Sequence, residues 1–184
     1  MTLVLIGKSG SGKSTVAKLL EKEYGLRRIV TFTTRPIREG ERDGVDYRFV
    51  NKKTFDVFKK AGFFAETADY KTEKGIWSYG SAKLDYEEEA GPGVIVLTPA
   101  GVKAIKKAGV KCVCIYLRAK DETLMIRLAN RGDDIAEMLR RLRHDDEDFE
   151  GAEELADLTI NVDSLEAKKI AAEVMGYAAE RKCM

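Results

Sequence analysis

Thr2-Leu-Val-Leu-Ile-Gly7 runs directly into Lys8-Ser-Gly-Ser-Gly-Lys-Ser-Thr15, and the reading of this stretch decides the fold. Leu3 to Ile6 is aliphatic with no polar alternation, which predicts a strand buried on both faces of a parallel sheet. Gly7, Gly12, Lys13 and Ser14 fit the spacing G-x-x-x-x-G-K-[ST]. The residues that follow, Val16-Ala-Lys-Leu-Leu-Glu-Lys-Glu-Tyr24, place Val16, Leu19, Leu20 and Tyr24 near one face of a helix. A strand before and a helix after turn the pattern from a Gly/Ser turn into a phosphate-binding loop. Gly7, Gly10 and Gly12 let the chain turn tightly so that successive main-chain N–H groups, from Ser9 through Ser11 to Thr15, surround a phosphate. The positive end of the helix points to the same place. Lys13 adds a mobile charge for the outer phosphates, and the Ser14 hydroxyl is placed to ligate Mg²⁺. This loop predicts a nucleoside triphosphate such as ATP but does not name an acceptor.

A chain of 184 residues suits one compact domain with room for small inserts. Its 32 basic and 31 acidic residues nearly cancel, so bulk charge implies no nucleic-acid surface and any basic site must be local. The first strand begins almost at once, which reads as no signal peptide, and no apolar run approaches membrane-spanning length. Cys112 and Cys114 alternate in Val110-Lys-Cys-Val-Cys-Ile-Tyr-Leu117 and so share one strand face, while Cys183 stands apart. An odd count without metal-ligand spacing reads as reduced thiols in a cytoplasmic protein rather than a zinc site. His144, the single histidine, reads as a helix-surface residue. Monomer and homodimer both fit the sequence.

Strands are expected at 28–33, 94–98, 110–117 and 158–162, and helices at 54–61, 81–89, 99–108, 121–130, 135–148 and 165–181. Residues 63–70 read as extended and 71–77 as a polar loop. Strands alternating with helices predict an α/β protein with a doubly wound parallel sheet. Residues 34–81 break the alternation and read as an excursion from the core.

The excursion carries Arg35, Arg38 and Tyr47, two guanidinium groups and a phenol suited to a phosphate dianion. Two arginines alone read better as a solvated basic turn. The order of residues around them, however, resembles the monophosphate-binding region of guanylate kinases. The match lies in Thr33-Thr-Arg-Pro-Ile-Arg38, Gly40-Glu41, Asp43-Gly-Val-Asp-Tyr47 and Phe49-Val50, then in Phe64-Ala-Glu66 and Tyr79-Gly-Ser81. With the phosphate loop, Arg131-Gly132 and Leu158 to Asn161, it runs from end to end, more specific before Thr98 than after it.

The resemblance implies a P-loop nucleoside monophosphate kinase: a five-stranded parallel sheet with helices on both faces, a small mixed insert for the monophosphate, and a helical lid. The core would comprise 1–33, 82–126 and 145–184, the insert 34–81 and the lid 127–144. It implies that Arg35, Arg38, Tyr47 and Tyr79 hold the GMP (or dGMP) phosphate. Glu66 would accept from guanine, with Ser81 and Thr31 near its other polar edge and Thr98 close by. Arg131 and Arg141 would close over the transferring phosphoryl group, Asn161 would lie near the ATP adenine, and Mg²⁺ would accompany ATP. Arg140 and Arg143 read as a solvated helix face, and Arg127 joins the local basic cluster.

This chain departs from the family pattern in three places. Val96 and Thr98 stand where acidic residues are usual, Asp69 to Trp77 is longer, and the segment between Arg131 and Arg141 is shorter. Two other functions fit the same residues: a related kinase for another nucleoside monophosphate or a sugar phosphate, and an inactive module that binds phosphopeptides through Arg35, Arg38 and Tyr47. The intact Gly12, Lys13 and Ser14 favour an enzyme.

Overall fold

The strand at Thr2–Ile6 (β1) divides its side chains between two cores. Leu3 and Leu5 enter one buried cluster, and Val4 and Ile6 enter the other. A strand used on both faces needs a layer on each side, and the chain supplies helices to both. The computed structural model describes residues 1–72, 75–130 and 134–181, with only the backbone of residues 71, 72, 136, 137 and 141.

The helix Lys13–Tyr24 (α1) follows, then a two-residue strand Arg27–Arg28 (β2). Farther on come the strands Gly93–Val96 (β7), Cys112–Arg118 (β8) and Leu158–Asn161 (β9). These five form one parallel sheet in the order β2-β7-β1-β8-β9. On one face α1 packs with the C-terminal helix Ala167–Glu180 (α7) through Val16, Ala17, Leu20, Ile170, Ala171 and Val174. On the other lie Val102 and Ile105 of Pro99–Lys107 (α3) and Ala152 of the short helix Ala152–Leu155 (α6). The doubly wound five-stranded sheet inferred from the sequence is therefore the core. Because all its strands are parallel, the loops after β1, β7 and β9 share its C-terminal edge, where ligands of such sheets bind.

A second, mixed sheet has four strands, with Arg48–Phe49 (β4) next to Phe32–Thr33 (β3), then Gly75–Ala82 (β6), then Phe64–Thr72 (β5). The helix Lys52–Lys60 (α2) covers it, capped by Asn51, whose side-chain oxygen accepts from the Thr54 N–H at 2.8 Å. Its core is almost wholly aromatic. The Phe32 ring meets Phe58, Phe63 and Phe64 edge-on at 5.8, 5.5 and 5.6 Å, and Phe55 stacks on Phe64 at 4.6 Å. A third unit pairs Asp121–Asn130 (α4) with Ile135–Asp148 (α5) through Leu124, Leu128, Met138 and Leu142.

Four expectations change. The single strand over 28–33 is two: Arg27–Arg28 pairs with β7 in the core, whereas Phe32–Thr33 pairs with β4 and β6 in the second sheet. The chain crosses between sheets after Ile29, whose side chain stays in the core. The helix expected over 81–89 is absent. Ser81 and Ala82 end β6, and two single 3-10 turns follow at Lys83–Tyr86 and Glu88–Ala90. The side chain of Asp85 explains this, because it faces Arg27 at 3.3 Å and Arg48 at 3.1 Å and so fastens the first turn to both sheets. Of the polar loop expected at 71–77, residues 73 and 74 lie outside the described residues; the rest continues the strands β5 and β6, with Tyr70 opposite Trp77 and Thr72 opposite Gly75. Finally, Tyr24 is exposed at the last turn of α1 rather than on its buried face.

Candidate active site

The phosphate loop sits between the C-terminal end of β1 and the start of α1. Gly7 has φ 155° and a Cβ there would lie 2.5 Å from Ser11 Oγ and 2.6 Å from the Leu117 carbonyl, so no side chain fits. Gly12, at φ 94°, caps α1 in the left-handed region that glycine adopts most readily. The Lys13 ammonium folds back over the loop to the carbonyls of Gly7 (2.6 Å) and Lys8 (2.9 Å). Ser14 and Thr15 are exposed in the first turn. Ser11 is buried, and its hydroxyl is the one buried side-chain polar atom among the described residues with no hydrogen-bond partner. A hydroxyl left unpaired inside a protein costs free energy, and a phosphate oxygen is a natural acceptor for it. A cavity of about 470 Å³ opens here, lined by the loop, Arg127 and Leu165. The Arg127 guanidinium donates to the Val162 carbonyl at 2.5 Å, so this arginine is fixed at the rim.

Two acidic residues of α5 reach the loop. Asp145 accepts the Ser9 N–H at 2.5 Å, and Lys8 pairs with Asp146 and, at 3.1 Å, with Asp121. The Ser9 amide belongs to the set that would hold a phosphate, and here a carboxylate takes the same hydrogen bond. Sequence reading gave Asp145 no part in the loop, because a helical carboxylate carries no signal of a partner 136 residues away in sequence.

The second candidate anion site lies beside the mixed sheet. Arg35 is buried, and its guanidinium forms a two-point fork with Glu41, at 2.7 and 3.0 Å, and donates to the Pro36 carbonyl at 2.8 Å. Its plane lies over the Tyr47 ring, with 5.2 Å to the centroid, and a hydrogen bond links it to Tyr79. The hydrogen bonds from Arg35 hold Glu41 below the usual carboxylate range, burial opposing and the Arg38 amide assisting. Tyr47 and Tyr79 meet at 5.8 Å. Thus Arg35, Tyr47 and Tyr79 converge, whereas the Arg38 side chain is exposed on the adjoining turn.

Glu66 stands deeper, only 6% exposed, on β5. It accepts the Ser81 hydroxyl at 2.9 Å, and Ser81 accepts the Tyr86 hydroxyl at 2.7 Å. Burial pushes the Glu66 carboxyl up, and its hydrogen bonds with Ser81 pull it back down. Thr31 lies just ahead of β3, where its carbonyl accepts the Arg48 N–H at 2.9 Å. Thr98 caps α3, accepting the Gly101 N–H at 3.2 Å, and also hydrogen-bonds the Tyr70 hydroxyl. Burial pushes the Tyr70 phenol up to about 12. This Tyr70–Thr98 link ties the hairpin to the C-terminal edge of the core sheet, the edge that carries the phosphate loop.

Asn161 closes β9 at that edge, its side-chain oxygen accepting the Asp163 N–H at 2.9 Å. Arg131 and the side chain of Arg141 lie outside the described residues. Arg140 is half-buried and Arg143 exposed. His144 is on the surface of α5, 3.2 Å from Asp148.

Against this geometry the comparisons with known proteins agree. A family profile described as guanylate kinase matches residues 1–175. The guanylate kinase of Chromohalobacter salexigens is 32% identical over 162 residues, 86% of this chain and 74% of that protein. That of Mycobacterium tuberculosis is 35% identical over 144 residues, 76% of this chain and 68% of that one. Among solved structures, the guanylate kinase of Anaplasma phagocytophilum superposes with a TM-score of 0.75 over 98% of this chain and 85% of its own. At 24% identity that likeness speaks for the fold. An uncharacterized protein from Eubacterium ventriosum follows at 0.58 and 14% identity, covering 98% of each chain. A glycine-rich loop at the edge of the parallel sheet, a cluster of Arg35, Tyr47 and Tyr79 beside the mixed sheet with a buried carboxylate near it, and a profile match over nearly the whole sequence have one common explanation: the chain belongs to the guanylate kinase family.

Proposed function

We propose that the chain transfers the γ-phosphoryl group of ATP to the phosphate of GMP or dGMP, giving ADP and the nucleoside diphosphate. The observation that carries this reading is Glu66, a buried carboxylate on the sheet that also bears Arg35, Tyr47 and Tyr79. Guanine offers two adjacent donors, N1–H and the 2-amino group, to one carboxylate. Adenine presents a bare acceptor at N1, which an ionised Glu66 repels. Each lost charge-assisted hydrogen bond costs about 1.5–3 kcal/mol, enough in sum for selectivity of several orders of magnitude.

The acceptor phosphate is already an anionic nucleophile, so no strong base is needed, and catalysis rests on positioning and charge stabilisation. Arg35, held by Glu41, orients that phosphate with Tyr47 and Tyr79, and Arg38 closes from the rim. The amides from Ser9 to Thr15, the Ser11 hydroxyl and Lys13 hold the donor phosphates. Arg131 and Arg141 are assigned to the developing charge on the γ-phosphoryl oxygens, and Asn161 to the adenine side. Insert (34–81) and lid (127–144) close on the core (1–33, 82–126, 145–184) to exclude water, since ATP would otherwise be hydrolysed.

Mg²⁺ is assigned as the companion of ATP. Ser14 offers one hard oxygen, and among the described residues no group of three or more His, Cys, Asp or Glu is placed to hold a metal. That donor set fits an ion carried largely by triphosphate oxygens and water. Bound there, it would neutralise phosphate charge during transfer. No described helix is long and apolar enough to cross a membrane, and Cys112 and Cys114 are free thiols. With nucleotide substrates, these features support a cytoplasmic setting.

Lys13→Ala tests the donor site. ADP release from ATP and GMP is expected to fall by at least about two orders of magnitude, with GMP binding by calorimetry unchanged. Undiminished turnover would remove the donor-site assignment.

A further inference from the structure

We propose that Tyr86 is a positioning residue for guanine selection: acting through Ser81, its hydroxyl fixes the Glu66 carboxylate as an acceptor for the base. The inference rests on the reading of Glu66 as the guanine ligand and adds to it a residue on a different element.

The proton count gives the chain its direction. An ionised carboxylate only accepts, so the single Ser81 proton is the one in the 2.9 Å bond to Glu66 Oε1. Ser81 is then left with lone pairs alone, and the Tyr86 hydroxyl at 2.7 Å must be their donor. Tyr86 is well placed for this duty. Its ring packs against the core cluster of Val4, Ile6 and Ile29, and burial pushes its phenol above the ordinary tyrosine value, so the donor stays protonated at any working pH.

The turn that carries Tyr86 is itself held. Asp85, the preceding residue, pairs with Arg27 of the core sheet and Arg48 of the insert. The Arg27 guanidinium also donates to the Asp85 carbonyl at 2.5 Å and to the Ala90 carbonyl at 2.9 Å. The Tyr86 hydroxyl therefore meets Ser81 from a backbone fixed on both sides. A serine hydroxyl otherwise rotates among staggered positions, and a donor on its lone pairs selects the one aimed at Glu66.

The charge state of Glu66 is what this chain protects. Ionised, it accepts from guanine N1–H and the 2-amino group. Protonated, it presents an O–H that suits adenine N1 and opposes guanine N1–H. Burial favours the protonated form, and Ser81 opposes burial. The titratable groups that act on Glu66 are Tyr70 on its own strand and Tyr86 on the turn. The helix α3, which packs on β5, carries Lys103, Lys106 and Lys107, all exposed, with Lys106 turned to the Leu155 carbonyl at 3.3 Å. Ser81 thus supplies the hydrogen bonds that keep the anion, and Tyr86 keeps Ser81 in place.

The test is steady-state kinetics with GMP and with AMP from about pH 5 to about pH 8, on the full chain and four variants. These are Glu66→Gln, Ser81→Ala, Tyr86→Phe and the Ser81→Ala/Tyr86→Phe double variant. Tyr86→Phe keeps the ring and its packing. It is expected to raise the KM for GMP roughly tenfold with kcat changed less than about twofold, the effect of weakening one charge-assisted hydrogen bond. It is also expected to move upward the pH below which the preference for GMP over AMP falls, and Ser81→Ala is expected to move it in the same direction. In the Ser81→Ala background, adding Tyr86→Phe is expected to change KM by less than about twofold, since the two act in series. An unchanged KM and pH profile in Tyr86→Phe, or additive effects in the double variant, would overturn the role of Tyr86 while Glu66→Gln still collapsed the preference. A preference unmoved by Glu66→Gln would overturn the guanine reading itself and this inference with it.

Discussion

Arg35 and Glu41 form a fork, buried at the arginine and half-buried at the glutamate, whose energy is asymmetric: intact it holds the guanidinium beside Tyr47, and broken it leaves a guanidinium 6% exposed without its carboxylate. Glu41→Gln is expected to lower stability at neutral pH by about 1.5–3 kcal/mol and to weaken GMP binding. The pH dependence has a definite sign. The carboxyl of Glu41 is depressed by Arg35, so its stabilisation is present above the ordinary carboxylate value and lost as pH falls through the depressed one. Denaturant midpoints measured on the acid side should converge for the two proteins and separate toward neutrality, and parallel curves would contradict the pairing. At this scale the sequence was legible where a residue type announces its chemistry. Glycines before a lysine, a pair of arginines and a carboxylate in a matching run were all readable. Tyr86 and Asp145 were not, since a tyrosine or an aspartate in a polar stretch does not reveal what lies across from it in space.

Elements were legible where local signals suffice. The strand β1 and the helices α4 and α5 lie where apolar spacing puts them, and Pro99 opens α3 as its position in a first turn suggests. The errors fall where tertiary contacts override local preference. Residues 83–89 have good helix formers, but the two arginines on Asp85 hold a 3-10 turn instead. The run from Arg28 to Thr33 is continuous in composition yet serves two sheets. One element-scale contact has a kinetic consequence. Asp145 of α5 takes the Ser9 N–H, so on the proposed donor-site reading ATP would displace a carboxylate before a phosphate gained that amide. Asp145→Asn weakens the competitor to a neutral acceptor and is expected to lower the KM for ATP by roughly three- to tenfold at saturating GMP. A raised KM for ATP would show that the aspartate assists the nucleotide rather than competing with it.

The whole molecule is a parallel sheet whose C-terminal edge carries the glycine-rich loop, joined to a mixed sheet beside which Arg35, Tyr47 and Tyr79 converge. Parallel order was readable from the alternation of strands and helices, because β1, β7 and β8 are buried on both faces and show it as unbroken apolar runs. The hairpin β5–β6 was harder to read, since Lys71, Thr72 and Gly75 in its outer part interrupt the apolar alternation of a strand. Its link from Tyr70 to Thr98 nevertheless ties the mixed sheet to the C-terminal end of β7 in the parallel sheet. The central claim is that these two sites select guanine and join it to ATP. The most direct measurement is a coupled ADP-release assay over GMP, dGMP, AMP, CMP and UMP with ATP and Mg²⁺. Turnover with GMP or dGMP is expected to exceed that with AMP by at least about a hundredfold in kcat/KM, the value of two hydrogen bonds to one carboxylate. Equal turnover of GMP and AMP, or ADP release that does not depend on any acceptor, would contradict it.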